Sequence, residues 1–383
     1  MMTLPNKQPA ILTVNLGSSS VKWALFGASS LDASGTPCAI DYGQVSIQTG
    51  ADIPFQLDGV LANCDVRVLI VRVVHGGPEF LAPVEINGEN LQRLKSVISL
   101  APLHNKVAIN FIEQWRNTRI SSRVFAVFDT EFFTNLPAVA QAYGLPSPLM
   151  KKYQIRRYGF HGFAHADMVR QWRQLNPSIK QYTLVTAQLG SGCSIAAIRD
   201  GKPVDTTMGF TPNEGLLMRT RSGDIDPGLL VWLQKQESWS PEEADYMLNH
   251  ESGWRGMSAG IDNMADLFIS SRPQSRLAFE LFRYRFQKTL GAYFAISGGL
   301  DGVVLSGGIA ENNAAICRNL LSGLSHLNIE LEPDQADSDL PLYLSTAESS
   351  VKCYVVAADE AAAMLWAVQE KFSDDLAVQL GID

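Results

Sequence analysis

Short β-branched runs alternate along the chain with stretches in which apolar residues recur every three or four positions. Runs that end in turn residues are typical of buried strands, whereas the three-to-four spacing is typical of helices. Their alternation predicts an α/β fold. The predicted strands are 11–16, 21–26, 68–74, 124–128, 184–189, 195–198, 302–305 and 354–357, and the predicted helices are 106–115, 164–175, 276–296, 314–326 and 360–371.

Two distant segments of the chain resemble each other. Residues 13–20 read TVNLGSSS and residues 186–193 read TAQLGSGC, each with a strand, a Gly-Ser turn and a second strand. A chance match is the alternative, but duplication is favoured because Asn15 and Gln188 both place an amide at the end of the first strand. Small residues let backbone N–H groups approach an anion closely, so the two turns together indicate a pair of phosphate nests.

Size and charge narrow the function class. A chain of 383 residues with 46% hydrophobic content predicts two domains with a cleft between them. A net charge of -8 argues against binding to nucleic acid or to an anionic membrane. The N-terminal residues lack the pattern of a secretion signal and no apolar run reaches membrane-spanning length, so we expect a cytoplasmic protein. The five cysteines lack disulfide or zinc spacing and are expected to be buried thiols.

Several longer motifs carry a resemblance to a known family. They are VNLGSSSVK (14–22), RVVHGG (72–77), APLHN (101–105), VFDTEFF (127–133), RRYGFHG (156–162), DTTMGFTPNEGLLMRTRSGDIDP (205–227) and SGGIAEN (306–312). In this order they resemble the acetate kinase family. The resemblance implies two duplicated ribonuclease H-like domains of the actin-like ATPase and sugar kinase superfamily, with an interdomain cleft. It implies an N-terminal lobe of residues 1–146 with 363–383 and a nucleotide-binding lobe of residues 147–362.

The family's activity is the reversible transfer of the ATP γ-phosphate to acetate or propionate. Such transfer depends on in-line positioning and on cations around the equatorial oxygens. The resemblance implies catalytic roles for Arg72, Asp129, Gln188 and Arg221. From the residues alone, either arginine reads more simply as a surface ion pair, and Asp129 reads equally well as a helix N-cap. The resemblance also implies Mg²⁺, a homodimer and closure of the two domains around small-molecule substrates.

The remaining site residues are also implied by the resemblance. Asn15 and Glu360 match magnesium-associated positions, and His104 and His161 match hydrogen-bonding positions. The acid substrate is expected at Arg72, Val74, Leu103, His104 and Pro212. The nucleotide is expected at Lys22, Gln188, Leu189, Gly190, Ser191, Gly192, Asn263, Met264, Ala265, Gly308, Ile309, Ala310, Glu311 and Asn312.

The chain departs from the family pattern on the phosphate and nucleotide side. Gln188 replaces a histidine, so it can donate a hydrogen bond but never carry positive charge. Asn263, Ala265 and Ala310 replace an aspartate, an arginine and a glycine, and the Ala310 methyl is expected to narrow the adenine pocket. Arg219 replaces a glycine and is expected near the phosphates. Two alternatives therefore stay open: another phosphoryl donor such as pyrophosphate, or a binding protein with weakened catalysis.

Overall fold

The computed structural model describes residues 7–17, 20–27, 37–46, 57–333 and 339–380. The chain divides into two compact units, Met1–Thr134 with Asp359–Asp383, and Asn135–Ala358. Both boundaries lie earlier in the chain than the 146/147 and 362/363 boundaries expected from the sequence. Ser18 and Ser19, which belong to the first predicted Gly-Ser turn, lie outside the described residues.

Each unit contains one six-stranded mixed sheet. The first sheet has the order β3-β2-β1-β4-β6-β5 and the second β11-β12-β10-β7-β8-β9. The strands are β1 (Gln8–Leu16), β2 (Ser20–Phe26), β3 (Asp41–Ser46), β4 (Cys64–Val73), β5 (Val84–Glu85), β6 (Arg123–Phe128), β7 (Thr183–Leu189), β8 (Cys193–Arg199), β9 (Lys202–Thr206), β10 (Gly302–Ser306), β11 (Leu342–Tyr343) and β12 (Lys352–Val355).

The two sheets are copies of one topology. Strand β1 pairs antiparallel with β2 and parallel with β4, and β7 pairs antiparallel with β8 and parallel with β10 in the same way. The outer strands correspond as well, because β3, β6 and β5 occupy the places of β9, β12 and β11. Asn15 and Gln188 both lie one residue before the end of the central strand. The structure thus confirms the duplicated α/β fold.

Helices flank both sheets. In the first unit they are Gly88–Ser96, Pro102–Thr118 and Glu360–Leu380. In the second they are Ala138–Gln141, Ser147–Tyr153, Gly162–Leu175, Pro227–Glu237, Pro241–Tyr246, Gly253–Met257, Met264–Ile269, Pro273–Ser297, Gly308–Glu311 and Ala314–Leu321. Short 3₁₀ turns occupy Val97–Leu100, Glu131–Phe133 and Ser325–Leu327, and a π-helical turn occupies Met247–Glu251.

Several boundaries predicted from the sequence are wrong. The strand predicted over 68–74 begins at Cys64, and the helix predicted over 106–115 spans Pro102–Thr118. The helix predicted over 314–326 ends at Leu321, because Ser322 is extended and Gly323 adopts a φ of 76° that interrupts helical hydrogen bonding. The last predicted strand, 354–357, is Lys352–Val355, displaced toward the N-terminus. The short strands β3, β5, β9 and β11 were not predicted, because their runs are brief or polar.

The apolar runs form the buried centres of the sheets. In the first unit, Trp115 and Phe128 pack against β1 and β4 in one continuous cluster. Of the five cysteines, Cys193, Cys317 and Cys353 are buried as expected, but Cys38 is exposed and Cys64 is partly exposed, so the expectation was wrong for those two. Among the described residues, every helix is too short or too polar to cross a bilayer.

Candidate active site

Four polar residues of the first unit form one hydrogen-bonded row. Arg72, at the end of β4, donates from Nε to Asp129 Oδ1 at 2.8 Å and from Nη1 to Asn15 Oδ1 at 2.8 Å. Its Nη2 contacts the other oxygen of Asp129. Asn15 in turn donates from Nδ2 to Glu360 Oε2 at 2.9 Å. The structure therefore brings together Asn15, Arg72, Asp129 and Glu360, which are widely separated in the sequence.

The row is largely withdrawn from solvent. The Arg72 side chain is 14% exposed and that of Asp129 is 2% exposed. Burial lowers the pKa of Arg72, but the charge and hydrogen bonds of Asp129, together with the charge of Glu360, outweigh it and raise the pKa overall. Arg72 is thus a permanent, fixed cation. The N-cap alternative for Asp129 does not describe its contacts, since its carboxylate faces the guanidinium.

The loop after Arg72 is held by buried polar side chains. Asn105 accepts from the backbone N–H of His75 at 3.2 Å and donates to its carbonyl at 2.9 Å. The Thr130 hydroxyl accepts from the N–H of Gly76 at 3.2 Å. A Cβ atom on Gly76 would lie 2.3 Å from the Phe80 carbonyl oxygen, so only glycine fits there. These contacts join the motifs at 72–77, 101–105 and 127–133.

The other predicted residues of the first unit lie around this loop. Val74 is 8% exposed and follows β4 directly. Leu103 and His104 lie in the first turn of the helix Pro102–Thr118, next to Asn105 in the chain. The description of the structure does not extend to the Leu103 side chain. Lys22 is exposed and stands directly opposite Asn15 in the β1–β2 ladder, so both side chains project from the same face of the sheet.

In the second unit, Arg221 and His161 lie against the Gly-Ser turn between β7 and β8. A Cβ atom on Gly192 would lie 2.7 Å from Nη2 of Arg221 and 3.3 Å from both Cε1 and Nε2 of His161. The two side chains thus border the space above this glycine. Because glycine leaves that space open, a guanidinium and an imidazole edge can both reach an anion bound at the turn.

Arg221 differs electrostatically from Arg72. Its Nη1 donates to the Pro212 carbonyl at 2.5 Å, and burial lowers its pKa, opposed only by the thiol of Cys193. In the described part of the chain, no carboxylate neutralises this guanidinium. A desolvated cation that lacks a carboxylate partner favours an anionic ligand. Pro212, expected at the acid substrate, thus contacts Arg221 through its backbone.

Gln188 lies beside the loop that precedes residues 308–312. Its Nε2 is 2.9 Å from the position of a Cβ atom on Gly307, where φ is 88°. Its Oε1 is buried and has no hydrogen-bond partner among the described residues. The amide oxygen is therefore unsatisfied among the described residues.

A pocket of about 340 Å³ lies in the second unit next to the Gly-Ser turn. Six of the predicted nucleotide residues line it, namely Gly190, Ser191, Asn263, Met264, Gly308 and Ile309. Arg219, Trp254 and Asp262 complete the lining. The backbone N–H of Arg219 donates to the Ser191 carbonyl at 3.1 Å, so this arginine is attached to the turn itself.

The other predicted nucleotide residues lie outside this lining. Leu189 is fully buried in the sheet, and Ala310 is 1% exposed. The Ala310 methyl therefore does not narrow the pocket, contrary to expectation. Glu311 accepts from the Ser306 hydroxyl and the Gly307 N–H, both at 2.8 Å, and Asn312 donates to the Gly308 carbonyl at 2.8 Å. The N–H of Ala265 donates to Asn263, which caps the helix Met264–Ile269.

The predicted metal residues offer oxygen ligands. Asn15, Glu360 and Asp129 supply one amide and two carboxylates, the ligand types that Mg²⁺ prefers. Within the described residues, three or more His, Cys, Asp or Glu side chains nowhere converge on a common point. Mg²⁺ commonly uses one or two carboxylates plus substrate phosphates and water, so the donor set fits a metal that arrives with a nucleotide.

Sequence reasoning missed two groups that support the second-unit site. Glu214 accepts from Tyr143 Oη and from Arg157 Nη2, both at 2.5 Å, and fixes the segment before Arg221. A second group, which consists of Thr186, His165 and Ser194, lies behind His161. His161 itself has a φ of 60°, an uncommon value for a residue other than glycine. The only signal in the sequence was His165, which lies in the helix that begins at the end of the RRYGFHG motif.

Comparisons with known proteins identify the family. A model of the acetokinase family matches residues 57–365. An acetate kinase of Dictyoglomus thermophilum is 34% identical over 91% of this chain and 96% of its own length. A propionate kinase structure from Francisella tularensis has a TM-score of 0.84 and 32% identity, and covers 94% of this chain and 99% of its own. The Porphyromonas gingivalis acetate kinase structure gives 0.83 and 27%, with 94% and 98% coverage.

Proposed function

Because the chain belongs to the acetokinase family, we propose that it transfers the γ-phosphoryl group of ATP reversibly to acetate or propionate. The products are an acyl phosphate and ADP. The observation that carries this proposal is the pair of side chains above Gly192, where Arg221 and His161 border a space that suits a phosphoryl group. Loss of one such preorganised donor typically lowers the rate by about 10²–10³-fold.

Arg72 supports an acid-binding role in the first unit. A guanidinium has five N–H donors, and Arg72 uses three of them on Asp129 and Asn15. Its two remaining N–H groups suit a substrate carboxylate, which accepts paired hydrogen bonds from arginine. Asp129 fixes the orientation of the Arg72 guanidinium fork, that is, of its paired N–H groups. Val74 follows Arg72 closely in the chain, and Leu103 and His104 belong to the joined motif at 101–105. We assign Val74, Leu103 and Pro212 to the substrate's alkyl group and His104 to a hydrogen bond with the acid.

We assign Mg²⁺ to Asn15 and Glu360, with Asp129 as a further oxygen ligand. The bound ion would neutralise charge on the donor phosphates. The amide of Asn15 holds the positions of Arg72 and Glu360 relative to each other, because it contacts both. The Arg72 guanidinium and the Glu360 carboxylate thus lie near each other, each hydrogen-bonded to Asn15.

The 340 Å³ pocket supports the donor assignment. Trp254 is 1% exposed and, with Met264 and Ile309, provides an apolar lining, while the Gly-Ser turn provides backbone N–H groups for phosphates. Arg219 is exposed at the same pocket and adds a cation. We assign the adenosine to the lining and the phosphates to the turn, Arg219, Lys22 and Gln188.

We also propose a homodimer. Leu229, Val231 and Trp232 are 45%, 49% and 55% exposed on the helix Pro227–Glu237. Large apolar side chains grouped on one exposed helix are typical of an interaction surface. Light scattering of the full chain should give twice the monomer mass, and a monomer at micromolar concentration would contradict the proposal.

The activity can be tested by trapping the acyl phosphate with hydroxylamine. The purified chain should be assayed with acetate, propionate and butyrate against ATP, GTP and pyrophosphate, with and without Mg²⁺. We expect hydroxamate from acetate or propionate with ATP and Mg²⁺. No product from any combination would reject the proposal, and product from pyrophosphate alone would assign another donor. A large rate increase in Q188H would indicate that Gln188 weakens catalysis.

A further inference from the structure

A buried chain of polar side chains lies behind His161. Nδ1 of His161 is 2.9 Å from Ser194 Oγ, which is also 2.8 Å from Nε2 of His165. Nδ1 of His165 is 2.8 Å from Thr186 Oγ1. Ser194, His165 and Thr186 are all fully buried. Four groups thus form one continuous hydrogen-bonded line, with His161 at the end nearest Gly192.

The line can be ordered in only two directions. Ser194 has one hydroxyl proton, so it donates to one histidine and accepts from the other. If it donates to His161, then His165 donates from Nε2 to Ser194 and accepts from Thr186 at Nδ1. If the direction is reversed, His165 donates to Thr186, and the Thr186 hydroxyl must find another acceptor.

Thr186 decides between the two directions. The only hydrogen bond of its hydroxyl in the described part of the chain is the one to His165. In the reversed order, a fully buried hydroxyl would keep its proton without an acceptor, and this cost favours the first order by roughly 5- to 150-fold.

We infer that Thr186, His165 and Ser194 act as positioning residues that hold neutral His161 with its proton on Nε2. Ser194 donates to Nδ1, and Nε2–H then points away from the line. Nε2 of His161 lies 3.3 Å from the position of a Cβ atom on Gly192, and Nη2 of Arg221 lies 2.7 Å from the same position. His161 therefore presents a hydrogen-bond donor to an anion there while it is uncharged.

The backbone of His161 supports a fixed role. Its φ of 60° places it in the left-handed region, which is unfavourable for a residue with a Cβ atom. The His161 carbonyl nevertheless accepts from the N–H of His165 at 3.0 Å and begins the helix Gly162–Leu175. The strained backbone and the Ser194 contact together fix both the ring position and the proton.

The test is the tautomer of each histidine, read from two-bond ¹H–¹⁵N correlations of the full chain labelled with ¹⁵N-histidine. H161Q and H165Q variants assign the signals. We expect a bare Nδ1 and a protonated Nε2 on both His161 and His165. A protonated Nδ1 on neutral His161 would overturn the inference, whatever the enzyme's activity.

Variants distinguish a role of these residues in the hydrogen-bonded line from a role in packing alone. S194A should let both His161 tautomers appear and should lower kcat about tenfold, with little change in the KM for the nucleotide. In H165Q the amide Nε2 can still donate to Ser194, whereas in H165N it cannot reach. H165Q should keep the His161 tautomer and H165N should lose it; equal spectra of the two variants would contradict the inference.

Only the effect on kcat rests on the proposed function. If the chain forms no acyl phosphate but His161 carries its proton on Nε2, the proposed function fails and the proton assignment stands. If the chain is active and His161 carries its proton on Nδ1, the proposed function stands and the proton assignment fails. If S194A fails to fold, the His161 tautomer in the wild-type spectrum still decides whether the inference holds.

Discussion

Gly192 and Arg221 lie so close that a single methyl group on the glycine would clash with the guanidinium. The distance from that Cβ position to Nη2 is 2.7 Å, below any ordinary contact, whereas a Cβ on Gly190 meets only the Gly192 carbonyl oxygen at 3.5 Å. The two glycines of one turn therefore differ in what they accommodate.

The first prediction concerns this difference. G192A should displace Arg221 and His161 and lower kcat/KM by about 100-fold, because misplacement of catalytic groups by about 1 Å has effects of that size. G190A is the matched control and should have a much smaller effect. Steady-state kinetics and thermal unfolding of both variants check this, and equal losses of kcat/KM would contradict the displacement.

The second prediction concerns the fork of Arg72. R72K should lower kcat/KM for acetate by about 100-fold, because a lysine cannot contact both Asp129 and Asn15 while it binds a carboxylate. R67K is the control on the same strand. Arg67 pairs with Asp65 at 3.0 Å and its side chain is 37% exposed, so R67K should change the free energy of unfolding by less than about 0.5 kcal/mol. Similar kinetics for R72K and the wild type would exclude the role of the fork.

The third prediction follows from the unsatisfied amide oxygen of Gln188. Q188M removes a buried acceptor that lacks a partner, so the free energy of unfolding should stay unchanged or rise by up to about 1–3 kcal/mol while kcat falls. Q287M is the contrasting variant, because Gln287 donates to the carbonyls of Leu320 and Ser322, both at 3.0 Å. Chemical denaturation should show that Q287M is destabilised. A Q188M variant that loses stability would show that the amide is satisfied.

The fourth prediction concerns Glu131. Burial raises the pKa of its carboxyl to about 8, although the N–H of Phe128 donates to it and lowers the pKa; the charge of Asp129 also raises it. The unfolded chain releases this proton near pH 4.3, so between about pH 4.3 and 8 only the folded form holds it, and stability falls as pH rises through that window.

E131Q should remove this dependence, because the amide is neutral at every pH. The melting temperature of E131Q should therefore fall less between pH 5 and 8 than that of the wild type. E348Q, at an exposed glutamate, is the control and should follow the wild-type curve. Parallel curves for E131Q and the wild type would contradict the raised pKa.

The repeat was predictable because its signal is local. The strand, the Gly-Ser turn and the following strand occupy eight residues, and the amides of Asn15 and Gln188 mark the same position in both copies. The helix end at Leu321 was not predictable from periodicity, because apolar residues continue at Leu324 and Leu327 beyond the glycine that stops the helix.

Contacts between distant residues were beyond sequence reasoning from the residues alone. Nothing local connects Asn15 to Glu360, and only the family resemblance indicated both. The burial of Ala310 depends on which face of its short helix packs inward, and neither its neighbours nor the resemblance revealed this. Thr186 was predicted as a strand residue and Ser194 lay just before the predicted strand 195–198, and a hydroxyl at such a position has no pattern that separates structure from function.

The helix Glu360–Leu380 contacts β1, β4 and β6 of the first sheet, and its first residue bonds to Asn15. Translation makes this helix after residues 135–358. The first sheet therefore waits for a helix that is made only when residues 135–358 are already complete. We expect the second unit to fold first on the nascent chain, the reverse of the usual N-terminal order.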